Sequence, residues 1–185
     1  LGKFEEAEKS YRKAIELNPD LTFAHSNLGI MLHDLGKFEE AEKSYRKAIE
    51  LNPDFADAHS NLGLILKDFG KLKEAEKSTR KAIELNPDFA DAHSNLGIML
   101  HDIGKFEEAE KSYRKAIELN PDLTFAHSNL GIMLHDLGKL EEAEKLYRKA
   151  IELNPDFLEA HSNLGSILRI LGNSQEARLC SEKIM

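Results

Sequence analysis

Ala24-His25-Ser26-Asn27-Leu28-Gly29 is written again at Ala58–Gly63, Ala92–Gly97, Ala126–Gly131 and Ala160–Gly165, each time 34 residues further on. The five prolines of the chain, Pro19, Pro53, Pro87, Pro121 and Pro155, keep the same step. A strict period of this length marks a solenoid, in which each unit is one supersecondary element stacked on its neighbours. Such folds present long surfaces more readily than deep catalytic pockets, so the period points to binding.

Outward from this stretch, Ala24, Leu28, Met31, Leu32 and Leu35 fall at helical spacing and form one apolar stripe. Gly36 follows, where a left-handed residue would end the helix. A second stripe runs Phe38, Ala41, Tyr45, Ala48 and Ile49. It stops at Asn52-Pro53-Asp54, where proline forbids continuation and Asp54 is expected to cap the next helix. Each unit is therefore expected to be two antiparallel helices of about 14 residues. Gly29 sits mid-helix, at a cost of about 1 kcal/mol against alanine. The expected compensation is a close helix approach onto small Ala41 and Ala48. Glu39, Glu40 and Glu42 precede Lys43, Arg46 and Lys47, an order that suits the helix dipole. Glu39–Lys43 and Glu42–Arg46 are expected to pair on a solvated outer face.

Composition narrows the function classes. The chain of 185 residues has 33 acidic and 25 basic residues and a net charge of -8. No basic stripe is visible, which argues against nucleic acid as a partner. Apolar runs such as Leu62–Leu66 are too short to span a bilayer, so no membrane partner is expected. No secretory signal opens the chain. Cys180 is the single cysteine, which fits an intracellular, cytoplasmic setting and a role as small apolar filler. The chain begins at Leu1 in mid-unit and ends before another Asn-Pro, as a fragment or the ordered part of something longer would.

Leu28, Gly29, Gly36, Ala41, Tyr45, Ala48 and Pro53 stand where the tetratricopeptide repeat family keeps its signature residues, and every unit repeats them in phase. The chain resembles that family over its whole length, with His25 where many members carry tryptophan. The resemblance implies an all-α fold, a right-handed superhelical solenoid of antiparallel helix pairs, with first helices lining a concave groove. One array over 1–185 is expected. It comprises a lone second helix at 1–21, full repeats at 22–55, 56–89, 90–123 and 124–157, and a divergent final pair at 158–185. In that pair Ser174, Ser181 and Ile184 replace Phe38, Tyr45 and Ala48. Divergence there fits a cap on the solenoid or a transition into a further domain.

The usual activity of the family is holding peptides or partner proteins. Phe23, Asn27, Ile30 and Asp34 share one helical face, next to the core stripe, and the resemblance turns that face to the groove. The candidate peptide-binding residues are therefore Asn27, Asn61, Asn95, Asn129 and Asn163, with Phe23, Phe125, Ile30, Leu64, Ile98 and Ile132. An amide both donates and accepts, which suits a peptide backbone of any sequence. The array is similar to that of the O-linked N-acetylglucosamine transferases, where a groove asparagine ladder grips extended polypeptide. Alternatively the asparagines bond a neighbouring helix and hold the pitch. Asp57, Asp91 and Glu159 replace the two phenylalanines in the other units. Phe23 and Phe125 either anchor a partner or pack partly against the preceding unit. Ser26 and Ile30 stand where chaperone-binding members place a basic carboxylate clamp, which disfavours capture of an acidic C-terminus.

His25 and its repeats are expected between helices in structural roles. His33, His101 and His135, exchanged for Lys67 and Arg169, mark a basic spot near the first-helix C-terminus. Neither series has metal-site spacing. No phosphate loop or unique catalytic set stands out, and no enzyme activity, cofactor or metal is expected. The leading expectation is a non-catalytic scaffold for a peptide or protein partner. Alternatives are the recognition arm of a larger enzyme such as a glycosyltransferase, and a homo-oligomer stacked through open ends, where Phe4, Ala7, Tyr11, Ala14 and Ile15 lack a preceding helix. Residues 1–55 match 103–157 except at Leu1/Ile103, Phe38/Leu140 and Ser44/Leu146, so a three-unit block has been duplicated. Thr79 replaces the tyrosine of Tyr11, Tyr45, Tyr113 and Tyr147, and a packing defect is expected there.

Overall fold

The computed structural model describes residues 2–183. The side chain of Phe4 and the exchange of Ile184 for Ala48 lie outside the described residues, as does Leu1. The described residues form helices and no strand. They are α1 (Gly2–Leu17), α2 (Thr22–Asp34), α3 (Phe38–Leu51), α4 (Ala56–Asp68), α5 (Leu72–Leu85), α6 (Ala90–Asp102), α7 (Phe106–Leu119), α8 (Thr124–Asp136), α9 (Leu140–Leu153), α10 (Leu158–Ile170) and α11 (Ser174–Glu182). Two compact units divide them, one ending at Asn95 and one beginning at Leu96, with the boundary inside α6. None of these helices is long and apolar enough to cross a membrane.

In the first unit α2 packs on α3 and α4 on α5, and α3 bridges to α4. Leu28, Leu32, Leu62, Ile65 and Leu66 are buried there beside Ala41, Tyr45, Ala48, Ala75, Thr79 and Ala82. The second unit repeats the plan in α8 with α9 and α10 with α11, around Tyr113, Leu130, Met133, Leu134, Tyr147, Ile167 and Leu168. Neither stripe of a pair has a core without its partner, so stacking supplies the apolar burial.

Two kinds of turn punctuate each period. Gly36 has φ 71°, and Gly70, Gly104, Gly138 and Gly172 match it. The Lys37 N–H donates to the Leu32 carbonyl at 2.7 Å and the Gly36 N–H to His33 at 2.9 Å. These two bonds close a Schellman motif and satisfy carbonyls that the helix end would leave open. The other turn corrects an expectation. Phe55, not Asp54, is the N-cap residue of α4, and no side chain caps that helix. Asn52 does the local bonding instead: its Oδ1 accepts the Asp54 N–H at 3.1 Å, an Asx turn that uses the residue before the proline.

The mid-helix glycines are also explained differently from the expectation. A Cβ at Gly29 would stand 2.6 Å from Cε1 of Tyr45, so the close partner is a large ring rather than Ala41 or Ala48. The absent side chain makes room for a buried tyrosine, whose burial is worth about 1.5–3 kcal/mol and outweighs the glycine penalty. In the final pair Ser181 holds the tyrosine's register, and Gly165 faces the Cys180 Cβ at 3.3 Å.

Candidate functional site

The first-helix stripe is built as the spacing implied. In α2, Asn27 is half-buried between exposed Phe23 and exposed Asp34, with Ile30 at the border of exposure. Asn61 and Asn95 are half-buried likewise, as are Leu64 and Ile98. In the second unit Asn129, Ile132 and Asn163 are half-buried, and Phe125 is exposed. Each unit thus carries its own stretch of amides flanked by aliphatic side chains and carboxylates.

One asparagine has a structural partner. Asn95 Nδ2 donates to Ser60 Oγ at 3.1 Å, across to the first helix one repeat back. Its carbonyl oxygen remains available as an acceptor, since an amide has bonds to spare. The bond does not extend to Ser128, whose buried hydroxyl has no partner.

Phe23 is 70% exposed and Phe125 62% exposed. Each has a ring contact with the unit that follows. Phe23 meets Phe55 edge-on with centroids 5.1 Å apart, and Phe125 meets Phe157 at 5.3 Å. Both partners lie at the start of the following first helix, and both were missed from the sequence. The signal was present: Phe55 and Phe157 follow the Asn-Pro-Asp turn that comes next after each exposed phenylalanine.

The histidines of the repeated hexapeptide are staples. The Nε2–H of His25 donates to the Pro19 carbonyl at 2.8 Å. His59, His93, His127 and His161 do the same to Pro53, Pro87, Pro121 and Pro155 at 2.9 Å. A carbonyl can only accept, so these bonds place the proton on Nε2. His33 and His101 form a second series. Their Nε2 atoms stand 3.7 Å from Asp68 and 3.4 Å from Asp136, each one repeat ahead. Among the described residues no group of three or more His, Cys, Asp or Glu could hold a metal ion. Burial raises the pKa of Tyr45, Tyr113 and Tyr147 and of the Cys180 thiol, so these groups stay neutral at physiological pH.

The outer charges are more organised than a solvated face. Among the described residues Glu42 and Arg46 pair at 2.8 Å, whereas Glu39 and Lys43 do not. Glu42 also takes Lys71 at 3.3 Å, and Arg46 reaches Glu74 at 3.5 Å. Glu8 with Lys37, Arg12 with Glu40, Glu110 with Lys139, and Arg148 with Glu176 repeat this link between successive second helices. The Lys37 hydrogen bond holds the Glu8 pKa below the usual carboxylate range, and Arg114 and Arg148 do so for Glu110 and Glu176.

The final pair does not look like a polar cap. It exposes Leu158, Ile170, Leu171 and Leu179, where earlier units carry Ala56, Asp68, Phe69 and Lys77.

Comparison with known proteins supplies the frame for this surface. A TPR repeat model matches residues 1–36 and 31–70. Tetratricopeptide repeat models match residues 56–89, 88–156 and 146–179. Among solved structures the chain is similar to MamA, at 26% identity, covering 85% of this chain and 92% of that one, with a TM-score of 0.70. It is similar to YrrB, described as a TPR protein with an unusual peptide-binding site, at 26% identity, covering 96% and 91%, with a TM-score of 0.66. PilF of Pseudomonas aeruginosa, at 24% identity, covering 98% and 77% with a TM-score of 0.79, shares the fold. No curated protein sequence matches the chain.

Proposed function

The chain belongs to the tetratricopeptide repeat family, and from that premise we propose that it is a non-catalytic scaffold holding an extended peptide on its first-helix face. The observation that carries this reading is Phe23, held 70% exposed against the edge of Phe55, one turn before Asn27 on α2, with Phe55 at the start of the helix that carries Asn61. An aromatic ring that the fold leaves in water, beside half-buried amides, suits an apolar anchor with a backbone-reading row. Phe125, Phe157, Asn129 and Asn163 offer the same chemistry in the second unit. YrrB, similar at 26% identity, supports the peptide part of the reading through its described peptide-binding site.

The asparagine amides read backbone, and the phenylalanines take one apolar side chain of the bound segment. Asp34, Asp57 and Asp68 border the row, which favours a segment that is neutral or basic beside its anchor. A random-peptide display selection tests this. Selected peptides should lose binding to Phe23→Ala/Phe125→Ala and to Asn61→Ala/Asn129→Ala proteins that melt as the parent does. Binding unchanged in both would overturn the reading.

A second reading, self-association, is favoured by Leu158, Ile170, Leu171 and Leu179, each exposed on the final pair. Light scattering over a concentration series tests it: a strict monomer at high concentration contradicts it, and a Leu179→Lys, Ile170→Asp protein should restore the monomer if association occurs.

A further inference from the structure

A groove opens in the first unit on the side away from the first-helix stripe. It runs between α3 and α5 and is lined by Ile49, Leu62 and Leu66. Its volume is about 860 Å³. The corresponding grooves, between α1 and α3 and between α9 and α11, hold about 400 and about 430 Å³. The larger groove extends along α5 to Lys73 at one end and Glu84 at the other, roughly 17 Å at the rise of a helix.

The charges along it do not cancel. Each carboxylate in its lining already has a cation: Glu50 has Lys47, Glu74 has Arg46, Glu76 has Arg80 and Glu84 has Lys81. Lys73 and Lys77 also line the groove, and neither has an acidic partner among the described residues. Lys73 breaks the repeat, since Glu39, Glu107 and Glu141 hold its register elsewhere. The break is unfavourable for the helix twice over. It puts a cation in the first turn of α5, against the dipole. It also replaces a Glu-to-Lys spacing with a like-charge i,i+4 pair, Lys73 and Lys77. Glu74 remains the acidic residue of that first turn, but its carboxylate pairs with Arg46, and two lysines without an acidic partner among the described residues fit a role at the surface rather than in the helix.

We propose that this groove docks an acidic amphipathic helix of about three turns. Its apolar side would lie over half-buried Ile49, with the buried Leu62 and Leu66 closing the floor beneath, and carboxylates one turn apart would meet Lys73 and Lys77. This surface is distinct from the first-helix stripe, and the proposal stands whether or not that stripe binds peptide.

The probe is a 14-residue synthetic helix of leucine and glutamate at helical spacing, labelled for fluorescence anisotropy, with a lysine-for-glutamate control. The protein carries a net charge of -8, so an acidic probe is repelled elsewhere and its binding is discriminating. The intact chain should bind the glutamate probe and not the control. Lys73→Glu with Lys77→Gln should weaken binding about tenfold or more, as loss of two close charge contacts requires. Lys73→Glu restores the residue of the other units, so the fold should melt no lower than the parent. Asn61→Ala with Asn129→Ala should leave affinity for the probe unchanged. No binding of the glutamate probe, or equal binding by the double lysine variant, would overturn the proposal.

Discussion

Tyr113 lies against Gly97 so closely that a Cβ there would stand 2.6 Å from the ring's Cε1. The ring is 1% exposed. Gly97→Ala should therefore destabilise the second unit by about 1–2 kcal/mol, because overpacking outweighs alanine's better helix propensity. Gly97→Ala with Tyr113→Leu should recover part of the loss. Urea unfolding of the two variants measures both effects.

Thr79 occupies the tyrosine register in α5 and is fully buried. Thr79→Tyr should raise the melting temperature by several degrees, since a buried ring adds about 2 kcal/mol of apolar burial. A fall in melting temperature would show that α4 and α5 have closed around threonine.

The ladder between second helices predicts an acid-sensitive stability. Glu8, Glu110 and Glu176 have folded pKa values below their unfolded ones, through Lys37, Arg114 and Arg148 respectively. Their contribution is then fully present above the ordinary glutamate pKa of about 4.3 and is lost as pH falls through the lower folded values. The urea midpoint should drop between pH 5 and pH 3 by less in Glu8→Gln/Glu110→Gln than in the parent. Equal drops would mean that the ladder is screened out by solvent.

The repeat's histidine makes its own prediction. His127 Nε2 donates to the Pro121 carbonyl from a buried position. His127→Ala should cost about 1–3 kcal/mol, because it leaves a carbonyl unpaired and removes packing at the turn. His127→Gln, which keeps a donor, should lose less in the same thermal melt.

Much of this was legible because a period repeats its own answer. Gly36 and its copies read as turn residues, and His25 and its copies as structural ones. Other features depended on which residue faces which across a pair. The spacing put Ala41, Tyr45 and Ala48 on one stripe, yet only the packing shows that the ring of Tyr45 covers Gly29. Pairs such as Glu8–Lys37 join residues 29 apart; a single-helix reading finds i,i+4 partners and overlooks them. The pairing of Phe23 with Phe55 was hidden for the same reason, since turn residues carry no period of their own face. The three-unit duplication copied surface residues along with core ones, so repetition alone could not mark Asn27 or Phe23 as a site.

In the proposed function the first-helix stripe, not the second-helix face, receives an extended peptide. Backbone amide NMR of the intact chain, titrated with a display-selected peptide, tests it most directly. Shift changes should centre on Phe23, Asn27, Asn61, Phe125 and Asn129, and should be absent when Phe23 and Phe125 are alanine. Changes confined to α3, α5, α7 and α9, and untouched by those substitutions, would contradict it.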